Sequence, residues 1–230
     1  MEKENNDLRT LFKLSVPRYK WFITFCYMFL LCLLPLVHQI SDITLLMDKF
    51  FCLLPIVFFS DILTMEYPGR NIEIFMLKPY RKKRYVLLMR ILMNLLMLVC
   101  VSIVSYGLFF VIHSPVINQG ETVIVYFFLS ILIVFMNSLI FGLVSMLFSN
   151  LFSNRWVGIG ISTFAWFSLI SKWGKSLPVP INVFLFGSST QDGKPDPNAK
   201  LWFIGKIVVL ILVIMAAVIE QKWMEKRAKV

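Results

Sequence analysis

Few side chains in this sequence have a type and spacing that could support hydrolysis. The two histidines, His38 and His113, lie at ends of apolar runs that we place on one side of a membrane, and Glu66 lies at the opposite end of such a run. Roughly 30 Å of hydrocarbon would separate Glu66 from either imidazole, too far for the two groups to activate one water molecule. Ser145 has no histidine near it either. The sequence therefore predicts no catalytic residues and a chain that is not an enzyme.

Motifs for nucleotide or metal binding are not indicated by the residue pattern. Gly174, Lys175 and Ser176 form a fragment of a phosphate-binding loop, but Leu169 stands where its first glycine is needed. The cysteines all lie within apolar runs without a C-x-x-C partner, which is typical of small apolar fillers rather than of a metal site. They are Cys26, Cys32, Cys52 and Cys100. We expect neither a metal nor a cofactor in this chain.

The elements that must position any site are long apolar runs. Hydrophobic residues make up 58% of the 230 residues and charged ones only 16%, whereas a soluble domain is nearer half apolar and a quarter charged. Because about 20 apolar residues cross a bilayer as a helix, the pattern predicts an all-α polytopic membrane protein with six transmembrane helices. The predicted spans are Trp21–Val37, Phe50–Met65, Val86–Ile112, Val123–Phe148, Val157–Ile170 and Leu201–Ile219.

The distribution of positive charge predicts the orientation of these spans. The formal charge is +10, and most Lys and Arg residues flank the side that would carry both termini. Since positive charge marks the cytoplasmic side, we expect a multi-pass cell-membrane protein with both termini in the cytoplasm. The same charge would suggest nucleic acid in a soluble protein, but here it reflects topology, and no nucleic-acid partner is expected. Lys206 lies within the sixth span and is expected to snorkel outward.

Two segments outside the spans have recognisable patterns. Leu8, Leu11, Phe12 and Ser15 share one helical face in a basic stretch, which predicts an N-terminal interfacial helix over residues 8–17 on the inner leaflet. The outer loop of residues 171–200 begins with an apolar stretch broken by prolines and ends in turn-forming residues. This pattern suits a re-entrant segment sheltered by protein.

The connection between the second and third spans carries the most information. Pro68 can open a helix there and Pro79 can close it, while Ile72, Phe75 and Met76 share one face. The pattern predicts a short cytoplasmic helix over residues 66–79. Two interpretations stay open on these residues alone: a helix gripped by a cytoplasmic partner, or an interfacial helix whose Arg81–Arg84 run holds anionic membrane lipid.

This connection resembles the region after the second helix in type-2 permeases of the ATP-binding-cassette (ABC) exporter superfamily. That pattern has an acidic residue, a Gly or Arg turn, a Glu followed by apolar positions, a Pro with a basic residue soon after, and a basic residue beginning the third span. The matching residues are Glu66, Gly69, Arg70, Glu73, Ile74, Phe75, Pro79, Arg81 and Arg90. The resemblance covers nearly the whole chain in topology but only about twenty residues in motif.

The resemblance implies a permease half that pairs with a second copy or paralogue and docks a cytoplasmic ABC ATPase. Helix 66–79 would be the coupling helix, and ATP and Mg would be bound by the partner ATPase. The implied cargo is amphipathic or hydrophobic (a peptide, lipid or drug), as in bacterial peptide export. The residues implied to couple to the ATPase are Glu66, Arg70, Glu73, Phe75 and Arg81, with Phe75 as an apolar knob.

Three alternatives are weighed against this interpretation. An ion-coupled secondary transporter would place ionisable residues near the midplane, whereas Asp61 lies toward the cytoplasmic end of its span and is interpreted as an interfacial partner for the basic cluster. A non-enzymatic membrane scaffold is compatible with the composition. An intramembrane protease is disfavoured by the placement of the histidines. Asn94 and Asn137 are candidates for interhelical hydrogen bonds or for cargo contact.

Small residues on two spans predict close helix packing. They are Gly142 and Ser145 on the fourth span, and Gly158, Gly160 and Ser162 on the fifth.

Overall fold

The computed structural model describes residues 13, 15–33, 38–66, 75, 77, 79–117, 122–178, 181–184 and 199–227. These residues are helical apart from short connections, and they contain no strand, only an isolated bridge between Gln39 and Val116. The helices are α1 (Arg18–Cys32), α2 (Ile40–Phe50), α3 (Leu53–Phe59), α4 (Tyr80–His113), α5 (Val123–Leu151), α6 (Arg155–Ile170), α7 (Lys172–Lys175) and α8 (Ala199–Arg227). A 3₁₀ turn, Thr64–Glu66, follows α3.

Four helical segments among the described residues are long and apolar enough to cross a membrane. They are Asp42–Glu66, Arg81–His113, Val123–Leu151 and Lys200–Trp223. They correspond to the second, third, fourth and sixth predicted spans, so the chain is an all-α membrane protein by length and composition. Helices α1 and α6, at the first and fifth predicted spans, have 15 and 16 residues. At 1.5 Å per residue each covers about 23 Å, less than the hydrocarbon thickness.

The second span begins earlier than the sequence predicted. Helix α2 starts at Ile40, so Asp48 and Lys49 belong to the spanning segment and not to an outer loop. The polar residues of α2 lower the hydropathy of this stretch, so the sequence pattern did not include it in the span. A single sequence does not reveal that another helix supplies a partner for the buried Asp48 carboxylate. The first outer connection is correspondingly shorter than expected.

A break separates α2 from α3 within this span, and Pro55 explains it. Proline has no N–H to donate to the carbonyl four residues earlier, and its ring crowds that carbonyl. The carbonyl in question belongs to Phe51, and it accepts a hydrogen bond from the Leu54 N–H at 3.3 Å. The helix therefore tightens for one turn at Phe51 and Cys52 before α3 continues it.

The ends of successive helices meet alternately at two ends of the bundle. At one end, His113 Nε2 lies 3.2 Å from the Cys32 carbonyl oxygen, and the Ile40 N–H donates to the Val116 carbonyl at 3.4 Å. At the other end, the start of α1 meets the end of α3, where Lys20 pairs with Asp61. Helix α1, the α2–α3 unit and α4 thus alternate in direction.

Helix α5 is the centre of the bundle and packs against α2, α3, α4, α6 and α8. Helix α3 packs closely on α5 at Gly142 of α5, and α6 packs closely on α5 through its own Gly158. A Cβ built on Gly142 would lie 2.7 Å from the Phe59 ring, and one on Gly158 would lie 2.5 Å from the Ser145 carbonyl oxygen. A Cβ on Gly160 would meet nothing within 4 Å. Close packing was therefore predicted correctly at Gly142 and Gly158 and wrongly at Gly160.

Parts of the two predicted segments outside the spans are described. Residues 13 and 15 are helical, and a bend at Val16 precedes Pro17, which leads into α1. Ser15 and Val16 are buried in the bundle. In the outer loop, Val183 and Phe184 are buried, and the Phe184 ring stacks on Phe141 at 5.3 Å between centroids. The rest of helix 8–17 and residues 185–198 of the loop lie outside the described part.

Replacing Gly158 with alanine should lower the free energy of unfolding by about 1–3 kcal/mol, because a backbone oxygen cannot move away from the new methyl group. The matched control is Gly160→Ala on the same helix, where the space is open. It should stabilise the chain by up to about 1 kcal/mol, because alanine has the better helix propensity. Thermal unfolding of the two purified variants in detergent measures both effects. Equal losses in the two variants would contradict the packing described for α5 and α6.

Candidate functional site

A buried lysine organises the end of the bundle that carries the predicted coupling segment. Lys20 Nζ lies 2.8 Å from Asp61 Oδ1, 2.8 Å from the Phe58 carbonyl oxygen, 2.9 Å from Asn94 Oδ1 and 3.1 Å from the Ser15 carbonyl oxygen. The ammonium has three N–H donors for these four acceptors, so its hydrogen-bonding capacity is fully used. This one side chain joins α1 to the end of α3 and to α4.

A second ion pair adjoins this cluster. Arg90 forms an ion pair with Glu66, and its Nη1 donates to the Ile62 carbonyl at 2.7 Å. Asn94 Nδ2 donates to the Arg90 carbonyl at 2.8 Å and so connects the arginine with the Lys20 cluster. Two members of the family-like pattern, Glu66 and Arg90, thus bind each other across the second and third spans. The remaining contact surface of Glu66 is small, since its side chain is 19% exposed.

The other predicted coupling residues differ in what the structure says of them. Arg81 is exposed near the start of α4. Arg70 and Glu73 lie outside the described residues, as does most of helix 66–79. Within that segment Phe75 and Leu77 are described, and both are helical.

Phe75, which the sequence suggested as an outward apolar contact, is buried, whereas Leu77, to which it gave no role, is exposed. Phe75 is only 3% exposed and belongs to the hydrophobic core, so it is not available as an apolar knob for a partner in this conformation. Leu77 is 85% exposed. The helical pattern marked Phe75 as apolar, and the structure places its side chain against the chain's own core. Leu77 is the exposed apolar side chain among the described residues of this segment.

A second buried cluster lies deeper in the bundle, at the break between α2 and α3. Lys206 Nζ of α8 lies 2.8 Å from Asp48 Oδ1, and both side chains are fully buried. Asn137 Nδ2 of α5 donates to the same oxygen at 2.7 Å and to the Asp48 carbonyl at 2.9 Å. The Lys206 ammonium also lies 4.5 Å from the centre of the Trp202 ring, a favourable cation–π distance. This pair ties α8 to α2.

The backbone carbonyls near the break are bound by side chains from three other helices. The Asp48 carbonyl accepts from Asn137 of α5, the Lys49 carbonyl from Trp166 Nε1 of α6 at 2.6 Å, and the Phe50 carbonyl from the Tyr27 hydroxyl of α1. A carbonyl without a hydrogen bond in hydrocarbon would cost several kcal/mol of stability, because no water is there to replace the missing donor. The break is thus stabilised by its neighbours.

The expectation for Lys206 was therefore wrong. The residue does not snorkel outward, because Asp48 lies beside it and compensates its charge. Asp48 is the member of this cluster that sequence reasoning missed. The spacing of Thr44 and Asp48 on one helical face was the available signal: Thr44 Oγ1 also points into the bundle and lies 2.8 Å from Ser130 Oγ.

Asn94 and Asn137 both bond across helices, Asn94 to Lys20 and Asn137 to Asp48. Asp61 is buried and pairs with Lys20, a residue of α1. Asp48 Oδ2 and Asn137 Oδ1 have no hydrogen-bond partner among the described residues. These side chains therefore form two separate interhelical networks, one at the break between α2 and α3 and the other just after the end of α3.

Among the described residues, Glu66 and the imidazole of His113 lie at opposite ends of the third span. Arg90, the partner of Glu66, and His113 lie on one helix, α4, separated by about 35 Å at 1.5 Å per residue. Within the described ranges no group of three His, Cys, Asp or Glu residues could hold a metal ion. In comparisons with known proteins, no family model, no curated protein and no solved structure matches the chain.

Replacing Lys206 with methionine should lower the free energy of unfolding by about 3–5 kcal/mol, since it leaves the Asp48 carboxylate buried without a counter-charge. Adding Asp48→Asn should recover part of that loss, because the uncompensated charge is then removed. The measurement is thermal or chemical unfolding in detergent. Lys200→Met, at an exposed position of the same helix, is the matched control and should be near neutral. Losses that simply add in the double variant would refute the pairing.

Proposed function

We propose that the chain is the membrane-spanning subunit of an ATP-driven exporter, similar to type-2 ABC permeases, that moves an amphipathic or hydrophobic cargo out of the cytoplasm. The observation that carries the proposal is the attachment of the segment between the second and third spans. Glu66 at its start is bound to Arg90 of the third span, and Phe75 within it is anchored in the core. A segment attached at both points transmits a displacement instead of absorbing it.

The buried network gives that displacement a route into the membrane. Movement of Glu66 pulls on Arg90, whose carbonyl is bonded to Asn94, and Asn94 in turn bonds Lys20 of α1. Lys20 also binds Asp61 at the end of the second span. A push at the segment therefore acts on the first three predicted spans together. The Pro55 break provides a position where the second span can bend in response.

In this proposal the segment offers a mixed surface to the ATPase. Leu77 supplies the apolar contact, and Arg70, Glu73 and Arg81 supply charged ones, while Phe75 holds the segment to the bundle. ATP and Mg are bound by the partner ATPase, and the chain pairs with a second copy or paralogue. Cargo would follow the amphipathic classes of the family: peptides, lipids or drugs.

A second candidate function is favoured by the Asp48–Lys206 pair. Ion-coupled carriers place ionisable groups within their spans, and this pair is fully buried inside the bundle. We rank it below the exporter because both charges are already compensated and the pair binds α2 to α8, which is sufficient as a structural role. An ion-coupled carrier would transport cargo in vesicles under an ion gradient without any ATPase.

Gentle purification of the tagged chain from its native membrane should recover a separate ATPase polypeptide, because the exporter needs an external source of hydrolysis. The measurement is mass-spectrometric identification of co-purifying chains, with an unrelated tagged membrane protein as the control. Recovery of the chain without an ATPase, together with gradient-driven uptake in vesicles, would favour the carrier and count against the exporter.

Leu77→Ala should weaken ATPase docking by about tenfold, the effect expected for truncating a central interface residue. It should leave the thermal stability of the chain unchanged, because Leu77 is exposed. Phe75→Ala is the matched comparison within the same segment. It should lower the free energy of unfolding by about 3–5 kcal/mol, because it removes a core side chain. Binding of the co-purified ATPase and thermal unfolding give the two readouts, and unimpaired docking of the Leu77 variant would contradict the assigned contact surface.

A further inference from the structure

An amphipathic cavity opens at the basic end of the bundle between α1, the end of α3 and the start of α6. It has two adjoining compartments of about 470 and 500 Å³, which share Asp61, Arg155 and Trp156 in their lining. These volumes are within the range of small-molecule sites in proteins. No described residue of the segment 66–79 and neither Asp48 nor Lys206 is among the residues that line the cavity.

The two compartments differ in polarity. The more polar one is lined by Thr64 and Met65 of the 3₁₀ turn after α3 and by Ser153 and Asn154 of the turn between α5 and α6. The other extends along α1 and α6 and is lined by apolar side chains, notably Ile23 and Ile159. A ligand that fills both therefore has a polar head and an apolar tail.

The charges around the cavity favour an anion at its polar end. Asp61 is the one carboxylate among the lining residues, and both of its oxygens are engaged, Oδ1 by Lys20 and Oδ2 by the Tyr19 hydroxyl. Arg155 forms no ion pair among the described residues, and its guanidinium lies 5.0 Å from the centre of the Trp156 ring. Because Lys20 neutralises Asp61, Arg155 leaves the cavity with a net positive charge.

Arg155 and Trp156 are residue types that are common at a membrane boundary. They begin α6, directly after the Asn154 cap, whose side chain accepts from the Trp156 N–H at 2.9 Å. Trp156 is 66% exposed, and tryptophans with neighbouring arginines are typical of the headgroup level of a bilayer. The positive end of the α6 dipole adds to the field at the same place.

We propose that this cavity binds an anionic phospholipid from the leaflet at the basic end of the bundle. The phosphate accepts from the Arg155 guanidinium in the polar compartment, as charge-assisted pairing of arginine with phosphate favours. One acyl chain lies in the apolar compartment against Ile23 and Ile159. The inference does not rest on the exporter assignment, since a scaffold or carrier with this cavity would bind the same lipid.

The test uses the full chain in mild detergent with two lipids of identical acyl chains, phosphatidylglycerol and phosphatidylcholine. Native mass spectrometry measures the bound lipid, and the shift in melting temperature gives a second readout. We expect phosphatidylglycerol to bind about tenfold more tightly than phosphatidylcholine. Both phosphates can accept from Arg155, but the choline cation of phosphatidylcholine offsets the attraction to the positive charge of the cavity. Arg155→Gln should abolish that preference, and Arg155→Lys should keep part of it because the charge remains.

Arg84→Gln is the matched control, because it removes the same charge from an exposed position at the same end of the bundle. It should leave the lipid preference intact. Ile159→Phe should weaken binding of both lipids by filling the tail compartment, while the headgroup preference stays. Glycerol 3-phosphate, a headgroup without a tail, should neither bind nor compete.

Two results would overturn the assignment. Equal losses in the Arg155→Gln and Arg84→Gln variants would show that only the general surface charge attracts the lipid. Competition by glycerol 3-phosphate at the concentrations that saturate phosphatidylglycerol would show a soluble-phosphate site instead. Melting of each variant without lipid shows that the variant folds, and neither result depends on whether an ATPase partner is present.

Discussion

The burial of two lysine–aspartate pairs is the constraint on which the rest of the bundle depends. A charge in a water-free interior is tolerated only beside an opposite charge and with its remaining hydrogen bonds made. Lys20 meets both conditions through Asp61, Asn94 and two carbonyls. Lys206 has its opposite charge in Asp48 and lies over the Trp202 ring. The Lys20–Asp61 pair joins the first two predicted spans, and the Asp48–Lys206 pair joins the second span to α8. The apolar packing around α5 determines how closely these helices approach.

Much of the architecture could be predicted from the sequence, because hydropathy depends on local composition. Four of the predicted spans coincide with helices long enough to cross a membrane. The start of α2 could not be predicted in the same way. Asp48 and Lys49 are polar in any local window, and the partner that makes burial of Asp48 acceptable, Lys206, lies 158 residues further on. The same limit explains why the prediction that the Lys206 side chain snorkels outward was wrong.

The candidate site shows a related limit. Helical spacing correctly marked Phe75 as part of an apolar face, but spacing does not tell what lies opposite that face. The core lies there, and the exposed apolar residue is Leu77. Glu66 and Arg90 were recognised as members of one motif, yet only the folded chain shows that they bind each other. On our two proposals, the lipid cavity borders Asp61, and the partner segment is joined to the Lys20–Asp61 pair through Glu66, Arg90 and Asn94. Both therefore lie at the basic end of the bundle.

The side chains that bind the backbone carbonyls and the Asp48 carboxylate near the break between α2 and α3 also bear on the order in which the bundle assembles. Asn137, Trp166 and Lys206 all follow Asp48 in the chain, and Lys206 lies 158 residues after it. Until α5, α6 and α8 are all in place, the second span lacks the counter-charge of Asp48 or some of the donors to its carbonyls, which lipid cannot replace. We therefore expect the second span to pack stably only once α8 has been inserted, so that the bundle forms cooperatively rather than helix by helix.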